Sequence, residues 1–275
     1  AQRIRHLVVN DAAGHVVAPT DPALQEGDPS LVTGSGLSET RDGGYAEYAR
    51  LESRWVIPLP TGLSLRESMI LGTAGFTAAL ALLRMTENRQ SPALGPLAVT
   101  GATGGVGSLA IAIFAKAGYE VHAISGKADQ AGYLTSLGAH AVLGREVLET
   151  AAPMASARFG GGLDNVGGAM LAGLLAQTAP YGNVASAGLA ATHELHATVM
   201  PFIIRGVSLL GVASAGTARD IRDEVWRRLA GDWKPANLDA VCTRETDLDG
   251  LPAVFETMLA GGSLGRTVVR VAETR

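Results

Sequence analysis

The chain has 275 residues, of which 47% are hydrophobic and 17% charged, and 22 Lys and Arg against 26 Asp and Glu give a formal net charge of −4. This composition excludes a disordered chain and provides no overall basic surface for binding nucleic acid. A single cysteine excludes a disulfide framework and any zinc site that needs several thiolates. The 35 glycines are well above the usual share of about 7% and indicate that backbone approaches other backbone, or a ligand, closely.

No secretory signal and no membrane span is predicted. The first 17 residues contain a short apolar patch without the longer apolar region and cleavage site of a signal peptide. No stretch reaches the roughly 18 uninterrupted apolar residues of a transmembrane helix. We therefore expect a soluble cytoplasmic protein that acts on a small molecule, with neither nucleic acid nor membrane as a partner.

Residues 1–72 are predicted to form short antiparallel strands. Turn signals built from Pro, Gly and Asp separate brief apolar runs, a pattern typical of strands joined by turns rather than of helices. The predicted strands are 7–9, 15–18, 30–34, 45–51 and 56–59.

From Gly72 onward, β runs alternate with helical stretches. Apolar strands in alternation with helices predict an α/β fold, a doubly wound parallel sheet covered on both faces. The predicted strands are 97–101, 120–125, 141–143, 163–166, 183–188 and 207–212, with helices at 105–117 and 128–137. An amphipathic helix at 219–230 follows, and the chain ends in short β segments that include 266–271.

The most specific motif lies between the first of these strands and its helix. It reads Ala102-x-Gly104-x-x-Gly107, a dinucleotide-binding fingerprint with Ala at the first position. Gly104 lets the backbone approach a pyrophosphate, and Gly107 lets helix and strand pack closely. Free amides at the helix N-terminus hold the phosphates. The strand before and the helix after it favour this interpretation over a merely tight turn.

The residues at the end of the next strand indicate which dinucleotide cofactor the chain binds. An NAD site typically has a carboxylate there, about 20 residues beyond the glycines, whereas this chain has Ser125, Gly126 and Lys127. A hydroxyl, a bare backbone and a cation suit a 2′-phosphate, so NADPH is predicted over NADH. Arg145 at the end of the following strand is a second candidate cation. A solvated lysine and an ordinary surface arginine are the alternatives for these two side chains.

Taken together, the motifs resemble those of a known family, the zinc-independent quinone oxidoreductases of the medium-chain dehydrogenase/reductase superfamily, and most of all its acryloyl-CoA reductase-like branch. The resemblance covers the chain from about Gly14 to its end. The motifs that carry it are GTAGFTAALAL (72–82), VTGATGGVGS (99–108), SGK (125–127), YLTSLGA (133–139), DNVGG (164–168), AGLA (187–190), VMPFIIRGVSLLGV (199–212) and LGRTVV (264–269).

The resemblance implies a Rossmann domain over 73–213 and a GroES-like β lobe formed by 1–72 with 214–275. Relatives have further strands before the segment that aligns with residues 10–17, so this lobe is expected to be incomplete at its start. Residues missing from the sequence, strands supplied by another chain and a damaged lobe are the alternatives. Relatives also usually carry an acidic residue where this chain has Ala213.

Implied cofactor contacts come from the same resemblance. Thr73, Gly104, Gly105 and Val106 would lie at the nicotinamide and pyrophosphate, and Ser125, Gly126 and Lys127 at the 2′-phosphate. Gly188, Leu189, Ser214 and Arg266 would close over the nicotinamide end. The implied reaction is reduction of an activated C=C bond in a conjugated carbonyl or acyl thioester by NADPH.

Catalytic residues are less well defined by the sequence. Tyr45 is a candidate hydrogen-bond donor near the substrate, although a half-buried strand tyrosine is the commoner role. Asp164, at the end of a strand, is expected to cap a turn more often than to bind ligand. Cys242 and the pair His193 and His196 are interpreted as structural, and no metal site is predicted.

Three functions remain open at this stage. The first is an NADPH-dependent reductase of conjugated C=C bonds, and the second is an NADPH:quinone reductase. The third is a nucleotide-binding remnant without turnover, whose substrate lobe has lost its opening strands. The segment 207–212 is a candidate edge strand for a homodimer, with a buried internal strand as the alternative.

Overall fold

The computed structural model describes residues 10–149 and 151–271, so the strand predicted at 7–9 lies outside it. The strands are β1 (Asp11–His15), β2 (Pro29–Thr33), β3 (Ile57–Pro58), β4 (Leu97–Thr100), β5 (Val121–Ile124), β6 (Ala141–Leu143), β7 (Phe159–Asp164), β8 (Thr178–Ser186), β9 (Ser208–Gly211), β10 (Cys242–Thr246) and β11 (Arg266–Val269). The helices are α1 (Leu65–Glu87), α2 (Gly105–Lys116), α3 (Ala131–Ser136), α4 (Glu146–Glu149), α5 (Gly168–Ala176), α6 (Met200–Arg205), α7 (Arg219–Ala230) and α8 (Leu251–Leu259).

Six strands form one parallel sheet, in the order β6-β5-β4-β7-β8-β9. Every neighbouring pair in it is parallel, which confirms the predicted doubly wound α/β fold. The chain runs outward from β4 in both directions, and the order of the strands reverses between β4 and β7. In such sheets a crevice for ligand opens at the carboxyl ends of the strands on either side of this switch point.

Two small sheets lie outside the parallel one. β1, β2 and β3 are antiparallel, whereas β10 and β11 pair in parallel. The strand predicted at 45–51 is wrong, because this segment has no regular secondary structure and is mostly exposed. No described strand pairs with it, so its backbone groups join no ladder. The strand predicted at 15–18 overlaps β1 only at His15.

The longest helix, α1, belongs to the core. It begins with a capping box in which Ser64 and Glu67 each accept from the other's backbone amide, an arrangement that satisfies two otherwise unpaired donors. Its 23 residues are apolar and long enough to cross a membrane, but 78% of the most apolar window is buried inside the protein. The helix packs against α2, α7 and β1, so its apolar character reflects burial on several sides.

A buried arginine joins α7 to the antiparallel sheet. The guanidinium of Arg222 donates to the carbonyl and hydroxyl oxygens of Thr33 in β2 and to the carbonyl oxygens of Ser214 and Ala215. It also lies 4.5 Å from the centre of the Phe76 ring in α1. Burial lowers the pKa of Arg222, and these oxygens replace the water that the charge loses.

Candidate active site

A tight turn leads from β4 into α2 at the carboxyl edge of the sheet. Gly104 is the N-cap of α2 and supplies no side chain to the amides of the first turn, which leaves them free to bind an anion. A Cβ at Gly107 would lie 2.3 Å from the carbonyl oxygen of Gly101 and 2.8 Å from Cα of Ala102. Only glycine fits there, as the fingerprint requires. This turn, whose first amides have no capping side chain, therefore fits a dinucleotide pyrophosphate.

The residues predicted to hold a 2′-phosphate gather at the end of β5. The hydroxyl oxygen of Ser125 accepts from the amide of Lys127 at 3.0 Å. The side chain of Arg145 lies over Gly126, where a Cβ would be 2.9 Å from its Cδ, and its guanidinium pairs with Glu149 at 3.0 Å. Ser125, Gly126, the backbone of Lys127 and the side chain of Arg145 thus lie together at one corner of the sheet.

Lys127 has a further set of contacts that the sequence does not suggest. Its ammonium donates to the carbonyl oxygens of Gly261 at 2.8 Å and Ser263 at 2.9 Å. Both belong to residues 260–265, which connect α8 to β11 and which we call the α8–β11 loop. Lys127 is therefore not the free surface lysine that was its alternative role.

A large cleft of about 1720 Å³ runs from the dinucleotide turn to the small sheets. Apolar side chains of α8, among them Val254, Phe255 and Met258, form part of its wall. Of the predicted site residues, the cleft brings together Tyr45, Thr73, Gly105, Val106 and Arg266. Gly188, Leu189 and Ser214, predicted at the nicotinamide end, lie outside its lining. A Cβ added at Gly188 would lie 2.5 Å from the backbone carbonyl oxygen of Asn165.

Sequence reasoning missed an acidic residue at the centre of this cleft. One carboxylate oxygen of Asp11 accepts from the amide of Thr73 at 2.9 Å and from its hydroxyl at 2.5 Å. The other faces the guanidinium of Arg266 at 3.4 Å. Arg266 also donates to the carbonyl oxygen of Ile70 at 3.1 Å, where α1 kinks at Gly72. We call these residues the Asp11 cluster: Asp11, Gly72, Thr73 and Arg266.

Known proteins share this architecture and much of this sequence. A family described as zinc-binding dehydrogenase matches residues 105–231. YhfP of Bacillus subtilis, which is named as a quinone oxidoreductase, is 44% identical over 95% of this chain and 80% of its own length. The chain belongs to the medium-chain dehydrogenase/reductase superfamily.

Within the superfamily, the chain falls in the branch of YhfP and AcuI. The acrylyl-CoA reductase AcuI of Ruegeria pomeroyi is 43% identical over 97% of this chain and 81% of its own length. YhdH of Escherichia coli K-12, solved with bound NADPH, matches with a TM-score of 0.94 at 39% identity, over 99% of this chain and 85% of YhdH. The structure of YhfP, solved with NAD bound, also matches with a TM-score of 0.94. The chain is thus an NAD(P)-dependent oxidoreductase of this superfamily.

The zinc named in the description of the matching family does not fit this member of the superfamily. No group of three or more His, Cys, Asp or Glu side chains within residues 10–149 and 151–271 is arranged to hold a metal ion. His193 and His196 lie in an exposed loop, where His196 pairs with Glu194 at 3.2 Å. Cys242 is half-buried, and burial raises the pKa of its thiol.

Tyr45 lies in the wall of the cleft between Phe255 and Arg266. Its ring centre is 6.4 Å from that of Phe255. Partial burial raises the pKa of its hydroxyl, and the positive charge of Arg266 opposes that shift. A neutral phenol at the edge of an apolar cleft can donate a hydrogen bond to a substrate oxygen.

Asp164 is a structural residue rather than a ligand of the cleft. Its carboxylate accepts from the hydroxyl of Thr100 at 2.7 Å and from the amides of Val166 and Gly167 at 3.2 and 2.7 Å. The side chain is fully buried, and this burial raises the pKa of its carboxyl. It caps the turn between β7 and α5, the role that the sequence favoured.

Proposed function

We propose that the chain is an NADPH-dependent reductase of activated C=C bonds in α,β-unsaturated carbonyl compounds or acyl thioesters, such as acryloyl-CoA. The observation that carries this proposal is the continuity between the dinucleotide turn and a large, largely apolar cleft whose lining includes the hydrogen-bond donors Tyr45 and Arg266. The relative AcuI is named as an acrylyl-CoA reductase. A cleft of this kind suits a conjugated acyl chain with a polar carbonyl.

The free amides of α2 and the stretch Ser125, Gly126 and Lys127, which has no carboxylate where β5 ends, support NADPH as the cofactor. YhdH was solved with NADPH and its counterpart from Salmonella enterica with NADP, whereas YhfP was solved with NAD. Gly104, Gly105 and Val106 would hold the pyrophosphate and Thr73 the nicotinamide end. When bound, NADPH would supply a hydride for the β-carbon of the substrate double bond, and a proton from solvent at the α-carbon would complete the reduction.

The chain itself provides binding and electrostatics. As the double bond is reduced, negative charge develops on the carbonyl oxygen of the substrate. Tyr45 would donate a hydrogen bond to that oxygen, and Arg266, which also pairs with Asp11, would lie nearby. Donors set in place before reaction stabilise developing charge most effectively where water is excluded. Val254 and Phe255 of α8, which line the cleft, would contribute to that exclusion.

The test is NADPH oxidation followed spectrophotometrically with acryloyl-CoA, with a quinone and with no acceptor. We expect turnover with acryloyl-CoA well above that with the quinone. Faster turnover with the quinone favours the function for which YhfP is named. Tight NADPH binding without turnover on either acceptor favours a nucleotide-binding remnant and contradicts the proposed reductase.

Two organisational features belong to the same proposal. Residues 73–213 would form the cofactor domain, and 1–72 with 214–275 the substrate lobe.

A homodimer would form through β9, which lies at the edge of the sheet. Ile203 and Ile204 of the adjacent α6 are 77% and 62% exposed, and an open edge strand beside apolar side chains suits pairing with a second copy across a two-fold axis. We place the enzyme in the cytoplasm.

A further inference from the structure

The α8–β11 loop is fixed at both ends of the cofactor site. At its C-terminal end the amide of Gly265 donates to the carbonyl oxygen of Thr103, in the dinucleotide turn, at 2.9 Å. At its N-terminal end two of its carbonyl oxygens accept from the ammonium of Lys127. The loop therefore spans the distance from the pyrophosphate turn to the corner predicted for the 2′-phosphate.

The conformation at the start of the loop directs its carbonyl groups. Gly261 follows α8 in the left-handed region at φ +71°, and its amide donates to the carbonyl oxygen of Met258 at 3.0 Å. The amide of Gly262 donates in turn to the carbonyl oxygen of Thr257 at 2.9 Å. This helix ending is one that glycine favours strongly. It leaves the carbonyls of Gly261 and Ser263 aimed at Lys127.

The two carbonyls use only part of the hydrogen-bonding capacity of the Lys127 ammonium. An ammonium has three N–H donors, and the two carbonyls occupy two of them. Among the described residues the third has no acceptor. The backbone amide of Lys127 is also held, by the hydroxyl of Ser125. The charge is thus fixed beside the predicted phosphate corner with one donor to spare.

We propose that the α8–β11 loop is a specificity determinant for the cofactor, because its carbonyls at 261 and 263 position the Lys127 ammonium to receive the 2′-phosphate of NADPH. This inference depends on the proposed use of NADPH. A free lysine loses side-chain entropy when it is immobilised. Because the loop immobilises Lys127 before the cofactor binds, less entropy is lost on binding. The interaction between ammonium and phosphate therefore contributes more to the affinity.

The physical consequence is selective for one cofactor. NADH has no 2′-phosphate, so a change confined to the Gly261 end of the loop, which leaves the bond from Gly265 to Thr103 in place, does not alter its binding. NADPH binding depends on the loop through Lys127 alone at this end of the site. Loss of the positioned ammonium should therefore lower the affinity for NADPH and not that for NADH.

The experiment measures dissociation constants of NADPH and NADH by fluorescence titration of the full chain, without substrate. Gly261→Val disturbs the loop, because a β-branched residue avoids the left-handed region. The matched control is Gly118→Val, since Gly118 also ends a helix, at φ +87°, also donates to a carbonyl at 3.0 Å, and also has no atom within 4 Å of a Cβ. Lys127→Met removes the charge while keeping most of the stem. Gly261→Ala is a milder loop variant.

We expect Gly261→Val to weaken NADPH binding about ten-fold, which corresponds to roughly 1.4 kcal/mol, with NADH affinity changed less than two-fold. Gly261→Ala should shift the ratio in the same direction by a smaller factor, and Gly118→Val should leave it unchanged. Combining Gly261→Val with Lys127→Met should weaken NADPH binding no further than Lys127→Met alone.

Two results would overturn the inference in distinguishable ways. If Lys127→Met lowers NADPH affinity selectively and both Gly261 variants do not, Lys127 reads the phosphate without help from the loop. If Lys127→Met weakens the binding of NADPH and NADH equally, or changes the binding of neither, the lysine only caps the end of α8. That result would also contradict the proposed preference for NADPH. Circular dichroism of each variant separates either result from unfolding.

Discussion

Single residues in this chain are constrained by contacts that are distant in sequence. Gly72 shows this best, because it kinks α1 at φ +49° and lies against the Asp11 carboxylate. A Cβ at this position would be 2.4 Å from Oδ2 of Asp11 and 2.7 Å from a guanidinium nitrogen of Arg266. The kink turns Thr73 toward Asp11 and exposes carbonyls that Arg266 binds. The Asp11 cluster is thus one interlocked unit.

We predict that Gly72→Ala destabilises the protein by about 3 kcal/mol, from left-handed strain together with the clash. In an Asp11→Ala background the same substitution should cost at least about 1 kcal/mol less, because the carboxylate it meets is gone. Urea unfolding of the four proteins in this cycle measures both effects. Gly118→Ala is the control for strain alone, since nothing lies near its Cβ. Strictly additive effects would contradict the interlocked cluster.

At the scale of elements, the turn between β7 and α5 depends on a buried carboxyl. Asp164 is cut off from water, and this is the main cause of its raised pKa, whereas its three hydrogen bonds favour the charged form. A carboxyl whose pKa is raised on folding stabilises the folded state. This contribution is complete when the pH is below the ordinary pKa of the group, 3.8. That contribution is lost as pH rises through the folded pKa.

Asp164→Asn should therefore gain stability relative to the wild type as pH is raised from about 4 to 7. The amide keeps the shape of the carboxyl and is never charged, so it escapes the desolvation that disfavours carboxylate. Chemical denaturation of both proteins across this range gives the difference in free energy of unfolding. A difference that is constant with pH would contradict the assignment.

The elements also show what sequence reasoning can reach. The parallel sheet and α2 were predictable because apolar runs, glycine caps and the dinucleotide fingerprint are all local signals. The segment 45–51 was misjudged, since alternation of apolar and polar residues does not specify a partner strand. Asp11 was missed because its role depends on Thr73, 62 positions away. The contacts of Lys127 with Gly261 and Ser263 cross more than 130 positions, and no local pattern encodes them.

On the scale of the whole molecule, a few polar contacts connect the parts that surround the cleft. Arg222 joins α7 to β2 and to the segment after β9, and Arg266 joins β11 to α1. Lys127 joins β5 to the α8–β11 loop. All three are long cations that donate to backbone carbonyls, which lets each hold a segment without requiring a matching side chain. These three cations therefore hold together segments that are far apart in the sequence.

The same scale includes assembly, for which the sheet edge gives a specific prediction. Ile203→Glu on α6 should convert the proposed dimer to monomer, because two buried carboxylates would face each other across the two-fold axis. The monomer itself should be unaffected, since Ile203 is 77% exposed within one chain. Analytical ultracentrifugation of the wild type and variant measures the change. Leu259→Glu is the control, because Leu259 is 90% exposed on α8, away from β9. A wild-type monomer, or a dimer that both variants leave intact, would show that β9 is not the interface.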